Sequence, residues 1–356
     1  MISISLCMIV KNEGELLAKS LDSVMELMDE IIIVDMGSKD NTKVIASKYT
    51  ENIYDFKALD NLSVARNYSF SMATKDYIIW LDPGDTLLED DRNRFIELKE
   101  EIEDDIDIVI MGYNAEFDEL KNATMSYYRE RLFKRANNYN WREEVHEYIE
   151  LAGNVITSQV SITGGINMTN SKNNLAVFKK MLSRGRRLSS RSLYYYAKDL
   201  YYNKKFDEAI IYYNKYLERD EGFATDKINA CYELSLCYKH QKNEKNQLKI
   251  LIDSIKYEVL RPEICCELGY FYKKKEEYDK AIFWFESGLR LNEMDKTWAY
   301  TMNDCWGYIP AVELCVCYYA IGDVSSAIEC NDLASKYKPE ANVVLYNKEF
   351  FSKIHE

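Results

Sequence analysis

The stretch from Ile78 to Leu88 reads Ile-Ile-Trp-Leu-Asp-Pro-Gly-Asp-Thr-Leu-Leu. Ile78 to Leu81 are apolar on both faces, which fits a strand buried in a parallel sheet. Pro83 and Gly84 cannot continue that strand. Asp82 and Asp85 therefore sit on a turn at its C-terminal end, where open α/β sheets bind ligands. Two acids on a tight turn suit a divalent cation, and a cation in turn holds a diphosphate. The competing reading is an acidic surface turn that caps the next helix.

The preceding chain repeats this layout. Ser3 to Val10 reads as a buried strand ending at Lys11-Asn12-Glu13-Gly14. A helix to about Met28 follows, with Leu16, Leu17, Leu21, Val24 and Leu27 at helical spacing. Ile31 to Val34 is a second strand, and Asp40 or Asn41 caps the helix after it. A third strand is expected at Ile53–Phe56, a helix from Leu62 to about Ala73, and further strands at Tyr77–Leu81 and Asp107–Gly112. Strand and helix alternating in this way predict a parallel, doubly wound sheet. Loops after Val10, Val34 and Leu81 then leave the same sheet edge. Asn12, Glu13, Asp35, Ser38, Asp82 and Asp85 converge on one crevice, with Arg66 as the cation to join them. Acids, one arginine and no Gly-x-Gly-x-x-Gly fit a nucleotide-sugar better than a dinucleotide.

Four motifs occur in order: Met8-Ile9-Val10-Lys11-Asn12-Glu13, Val34-Asp35-x-Gly37-Ser38-x-Asp40-x-Thr42, Ala65-Arg66-Asn67 and Trp80-Leu81-Asp82. Together they resemble a family 2 glycosyltransferase with the GT-A fold, over roughly the first half of the chain. The resemblance implies that Asp35 contacts uracil and ribose and that Arg66 lies near the nucleotide. It also implies that an Asp-x-Asp loop holds Mn²⁺ or Mg²⁺ on the diphosphate. The candidate nucleotide-sugar residues are Val10, Asn12, Glu13, Asp35, Gly37, Ser38, Arg66, Asp82, Arg131 and Trp141, and the candidate metal ligands are Asp82 and Asp85. Two departures bear on the metal. Gly84 stands where the loop's second acid belongs, so that either Asp85 swings in or Asp82 and water hold the ion. The strand at Val160–Ile166 carries Ser161, Thr163, Gly164 and Gly165 where relatives place a histidine.

Tyr127 to Lys134, followed by Trp141-Arg142-Glu143-Glu144-Val145-His146-Glu147, is the most polar aromatic-flanked cluster of the first half. It resembles an Arg-Leu-Phe segment followed by Val-His-Glu in family members that carry helical repeats. An inverting transfer needs a base opposite the leaving group. Glu147 is the candidate, with Glu144 in reserve. His146 could orient that base, touch the diphosphate, bind metal or simply be a satisfied core histidine. Arg131 either clamps phosphate or belongs to a basic surface with Arg129, Lys134 and Arg135. Trp141 either stacks on a sugar or fills core.

The second half repeats. Ala197 and Ala209, Ser235 and Gln247, Gly269 and Ala281, and Cys315 and Ala327 are pairs at one separation. This is the tetratricopeptide pattern, with small residues where helices cross. An insertion from Asn292 to Pro310 carries Trp298, Tyr300, Trp306 and Tyr308, as a contact patch or as a wedge against the first domain. A solenoid of this kind offers an extended peptide a concave face, and a dimerisation surface or a rigid extension are the alternatives. The expected organisation is an α/β GT-A domain over 1–170, a linker helix over 171–190 and an all-α tetratricopeptide-repeat domain over 191–356.

A net charge of −13 argues against nucleic acid or an anionic membrane as partner. No run approaches the ~20 apolar residues of a membrane span. Nine cysteines without a Cys-x-x-Cys pair suggest reduced, buried thiols and a cytoplasmic protein. The functional expectation is an inverting, metal-assisted hexosyl- or N-acetylhexosaminyltransferase. The donor is a UDP-sugar. The acceptor is a serine, threonine or cysteine side chain of a peptide or protein held by the repeats, and a homodimer is possible. The alternatives are a cell-surface polysaccharide or glycolipid acceptor, and a degenerate sugar-nucleotide-binding scaffold.

Overall fold

The computed structural model describes residues 1–57, 61–165, 171–291 and 300–354, divided into two compact units, Met1–Asp199 and Leu200–Glu356. The helices over 171–183 and most of 190–202 fall within the first unit. Residues 166–170 and Trp298 lie outside the described residues.

The first unit opens with β1 (Ile4–Val10), α1 (Gly14–Val24), β2 (Glu30–Asp35), α2 (Thr42–Ala46), β3 (Ile53–Asp55), α3 (Leu62–Ser71), β4 (Tyr77–Trp80) and α4 (Glu89–Glu101). Then come β5 (Ile108–Phe117), β6 (Ala123–Lys134), a small pair β7 (Trp141–Arg142) and β8 (Tyr148–Ile149), β9 (Val155–Thr163), α5 (Ser171–Ser183) and α6 (Ser190–Tyr202). The strand order is β3-β2-β1-β4-β6-β5-β9. From β3 to β4 the sheet is parallel. It is not parallel throughout, as the alternating pattern suggests. β6 runs antiparallel to both β4 and β5, since a tight turn over 118–122 folds β5 back on β6 as a hairpin. The sequence hides β6 because only Glu130 to Phe133 are buried, and its first half is only partly buried.

β1 is buried along its whole length, so its side chains feed two cores in alternation. Leu6, Met8 and Val10 pack with Leu17, Leu21 and Phe95 on one face. Cys7 and Ile9 pack with Ala65, Phe70, Trp80 and Trp141 on the other. Val10 pairs with Asp35 in register, and Cys7 with Trp80. The loops that leave Val10, Asp35 and Trp80 thus start at one edge.

The second unit holds α7 (Phe206–Leu217), α8 (Ala224–His240), α9 (Glu244–Asp253), α10 (Pro262–Lys273), α11 (Tyr278–Arg290), α12 (Tyr308–Ala320), α13 (Val324–Tyr337) and α14 (Asn342–Ser352). α8 pairs with α9, α10 with α11 and α12 with α13, as helical hairpins. Ser235, Gln247, Ala281, Cys315 and Ala327 are buried at the crossings. Part of the aromatic insertion docks on the start of α10. Trp306 Nε1 donates to Glu263 Oε1 at 3.2 Å, and Arg261 Nη2 to the Tyr300 carbonyl at 2.9 Å. All nine cysteines are free thiols, and burial pushes those of Cys231, Cys237, Cys265 and Cys315 up to about 12.

A methyl group on Gly269 would lie 2.6 Å from the Phe285 ring, which is itself fully buried. Gly269→Ala is therefore expected to lower stability by about 1–3 kcal/mol through overpacking. Urea unfolding would read this loss, and an unchanged midpoint would contradict the helix crossing described here.

Candidate active site

Arg66 is the centre of the site. It lies in the first turns of α3, whose N-cap Asn61 accepts from the Val64 amide at 3.2 Å. Its side chain points into the sheet edge and is 6% exposed. Nη2 meets Asp82 Oδ1 at 2.7 Å, and Nε meets Glu147 Oε1 at 2.7 Å. The guanidinium carbon lies 4.5 Å from the Trp80 ring and 4.9 Å from that of Trp141. Burial works against the charge on Arg66, but the charges of Asp82 and Glu147 outweigh it and hold the cation more firmly than usual.

Trp80 carries two further guanidinium groups, Arg131 at 3.8 Å and Arg129 at 4.9 Å. Its own Nε1 donates to the Glu130 carbonyl at 2.8 Å. Arg131 is 2% exposed, so it belongs neither to a basic surface nor to an open phosphate clamp. Its Nη1 bonds the Trp80 carbonyl at 3.1 Å and pairs with Asp85 Oδ2 at 3.1 Å. Arg131 thereby braces the turn after β4 from below.

The turn separates its two acids. Asp85 is 1% exposed. It accepts from the Tyr113 hydroxyl at 2.9 Å and from the Asp82 amide at 3.1 Å, besides pairing with Arg131. Burial pushes its carboxyl up, against the pull of Arg131. It faces inward in this structure, with its oxygens engaged by Arg131, Tyr113 and the Asp82 amide, whereas the expected metal ligand would have to turn outward. The Asp82 side chain is 41% exposed. Burial of its carboxyl works upward, but Arg66 and Arg131 prevail and hold it below the ordinary range.

Gly84 and Gly165 meet in space. A Cβ on Gly165 would lie 2.7 Å from the Gly84 Cα, and one on Gly84 3.1 Å from the Gly165 Cα, so the two backbones touch. Gly84 has φ +98° and its amide donates to Ser20 Oγ at 2.7 Å. Among the described residues no group of three histidine, cysteine, aspartate or glutamate side chains could hold a metal. A cation would have to rely on Asp82 and on the ligand's own oxygens. Mg²⁺ tolerates such a site, since it commonly binds through one or two carboxylates plus substrate phosphates.

The first two loops are knitted together. Asp35 is fully buried, and Oδ1 accepts from the Gly37 and Ser38 amides at 2.7 and 2.8 Å. Its Oδ2 is buried without a hydrogen-bond partner. Asn12 N donates to Ser38 Oγ at 2.9 Å, and Asn12 Oδ1 accepts from the Lys39 amide at 2.7 Å. Glu13 is pushed up by burial, with Asp82 and Asp40 adding to the effect. The Val10 side chain lies in the core, and only its carbonyl takes part here, accepting from the Met36 amide at 2.9 Å.

The Trp141–Glu147 segment closes the other side. Trp141 is 3% exposed and edge-on to Trp80 at 4.9 Å. It fills core beneath Arg66 and has no face free for a sugar. Glu147 is 9% exposed and holds Arg66. His146 turns away from Arg66 toward the helices. Nε2 lies 2.8 Å from Asp199 Oδ2 and 3.2 Å from the Asn174 amide nitrogen, and the ring stacks on Tyr195 at 4.2 Å. Glu144 pairs with Arg186. Asn174, Arg191, Tyr195 and Asp199 were not legible as site residues, because they lie in a stretch that reads as linker and repeat.

Residues 5–152 match the family model described as glycosyl transferase family 2. The chain carries a family 2 glycosyltransferase domain. Residues 262–293 match a tetratricopeptide repeat, so α/β transferase domain and helical repeats share this chain. It is 30% identical to a TPR repeat-containing protein of Synechococcus elongatus over 42% of this chain and 36% of that protein. It is 24% identical to the SPbeta prophage-derived glycosyltransferase SunS of Bacillus subtilis over 74% of this chain and 64% of that protein. The chain thus spans between about a third and two thirds of these relatives' lengths. Among solved structures, a glucosyl-3-phosphoglycerate synthase from Mycobacterium tuberculosis with Mn²⁺ and UDP-glucose aligns at TM-score 0.36 and 11% identity, over 53% of this chain and 81% of that one. MamA aligns at TM-score 0.38 and 16% identity, over 48% and 90%. No helix among the described residues is long and apolar enough to cross a membrane.

Arg66→Met would leave Glu147 buried without its cation. Breaking a buried pair in this way is expected to cost about 3–5 kcal/mol. Arg66→Lys should recover only part, since an ammonium cannot match the fork that bridges both carboxylates beside the two indoles. Full recovery in the lysine variant, read by urea unfolding, would contradict this geometry.

Proposed function

We propose that this protein transfers a hexose or N-acetylhexosamine from a UDP-sugar to a serine, threonine or cysteine side chain of a peptide or protein, with inversion at the sugar. The observation that carries the donor half is Asp35 Oδ2, a buried acceptor with no partner at the mouth of a transferase domain. A buried polar atom left unpaired is costly, and the imide N–H of uracil offers the donor it lacks. Asp35 and Asp82 leave strands separated by β1, so they stand two strand spacings apart, roughly 10 Å. One nucleoside diphosphate spans that gap. The repeats supply the protein-binding half of the reading.

In this reading Asn12, Gly37 and Ser38 shape the base and ribose pocket, and Glu13 lines its floor beside Asp82. Asp82 would hold a divalent cation, which when bound neutralises charge on the departing diphosphate. Arg66 lies within reach of the same oxygens and is fixed in advance by Glu147, Trp80 and Trp141. Arg131 and Asp85 keep the Asp82 turn rigid. The arrangement asks little of the protein before the nucleotide arrives, since one carboxylate is a weak cation site.

Calorimetry should therefore show negligible Mn²⁺ binding to the free protein and clear binding once UDP is present. Tight Mn²⁺ binding without nucleotide would contradict the single-carboxylate site. Asp35→Ala is expected to weaken UDP binding by about tenfold or more, as loss of a buried hydrogen bond predicts. Asp82→Ala should abolish UDP release from UDP-glucose and UDP-N-acetylglucosamine with the melting curve preserved. Persisting turnover in Asp82→Ala would remove it from the reaction.

A further inference from the structure

Three arginines reach the Trp80 indole, and they differ in what they can offer a ligand. The guanidinium carbons of Arg131, Arg66 and Arg129 lie 3.8, 4.5 and 4.9 Å from the ring centre. The Arg66 and Arg131 side chains are only 6% and 2% exposed. Asp82 and Glu147 hold Arg66 at 2.7 Å, and Asp85 holds Arg131 at 3.1 Å. The Arg129 side chain is 28% exposed and pairs with the adjacent Glu130 at 3.7 Å. Of the three guanidinium groups, Arg129 presents the most surface to an incoming ligand.

Arg129 also stands close to Asp82. β6 runs antiparallel to β4 with Ile79 opposite Leu132, so the chain that leaves β4 toward Asp82 passes the β6 residues just before Leu132. At that point Trp80 Nε1 donates to the Glu130 carbonyl at 2.8 Å. Residues two apart on a strand share a face, and Arg129 and Arg131 accordingly both reach Trp80. Burial pushes the Asp82 carboxyl up, and the charges of Arg66, Arg131 and Arg129 bring it below the ordinary range. The Asp82 side chain is itself 41% exposed. An accessible acid and an accessible guanidinium thus accompany the buried Arg66.

We propose that Arg129 contacts the diphosphate of the nucleotide-sugar donor directly. The assignment rests on the sugar-transfer reading above and adds to it a second arginine at the phosphate end. A guanidinium presents its donors in a planar fork that matches phosphate oxygens. Contact with Trp80 limits where that fork can go. Arg66 is committed to two carboxylates and steadies Asp82, while Arg129 offers its donors from the more open side. In the strand order, β6 is three spacings from β2, roughly 14 Å. Arg129 therefore serves the phosphates, and Asp35, at the end of β2, serves the base. Negative charge grows on the diphosphate as it departs, so this contact favours departure as well as binding.

Uridine lacks both phosphates, so uridine and UDP separate the two ends of the site. Calorimetry on the full chain with Mn²⁺ present reads both. Arg129→Gln is expected to weaken UDP binding by about tenfold or more, as loss of a hydrogen bond between charged groups predicts, with uridine affinity within about twofold of wild type. Arg129→Lys keeps the charge and should lose less, again for UDP alone, since an ammonium lacks the fork. With UDP-glucose and UDP-N-acetylglucosamine as donors and water as acceptor, kcat for UDP release should also fall in Arg129→Gln, because the contact strengthens as the diphosphate departs. Should Arg129→Gln fail to fold, Arg129→Lys carries the comparison with wild type alone. UDP binding at wild-type strength in the folded variants would overturn the assignment. Equal weakening of uridine and UDP would mark a structural role and overturn it as well. A wild-type protein that binds uridine as tightly as UDP would overturn the diphosphate contact while leaving the uracil at Asp35. A wild-type protein that binds neither, and releases no UDP from a donor, would overturn the donor reading along with it.

Discussion

Arg66 puts a charge where charge is costly, and much of the first unit answers that cost. An isolated guanidinium in so dry a position would be strongly destabilising. Two carboxylates reach it from distant parts of the chain, Asp82 beyond β4 and Glu147 beyond β7. Trp80 and Trp141 flank it. The ion cluster therefore ties α3, the end of β4 and the Trp141–Glu147 segment into one rim. A buried pair of this kind is weak evidence for net stability, because desolvation offsets the Coulomb gain. Its worth here lies in fixing geometry: two carboxylates and two indoles hold the guanidinium in one orientation.

Trp80 is the counterpart on the sheet. Its indole meets three guanidinium groups, and its backbone carbonyl takes a bond from Arg131. Arg131 and Tyr113 consume the acceptor capacity of Asp85, leaving Asp82 as the exposed acid of the turn. Gly84 and Gly165 press together beside this turn.

Much of this was legible in the sequence. Buried runs at β1, β2 and β4 with polar turns after each gave the parallel half of the sheet, and the motif around Asp35, Arg66 and Asp82 gave the rim. What stayed hidden has physical causes. β6 was missed because its outer half is only partly buried and does not form a core-facing run. Asp85 looked like a ligand because sequence cannot say which way a turn aspartate faces; the arginine that captures it is on a strand beyond the next helix. Trp141 was offered as a sugar platform, yet burial spends both its faces. Asp199 carried no local signal at all. It lies amid tyrosines in a helix whose small-residue spacing reads as repeat, and only folding brings it to His146. The repeats themselves were readable from Gly269, Ala281, Cys315 and Ala327, since helix crossings tolerate only small side chains.

The measurement that tests the central claim most directly is a crystal structure of the full chain grown with UDP and Mn²⁺. The account predicts the uracil against Asp35 Oδ2 and the diphosphate between Arg66 and a cation on Asp82, with Asp85 still paired to Arg131. Nucleotide bound away from Asp35 and Arg66, or a cation held by Asp85, would contradict it.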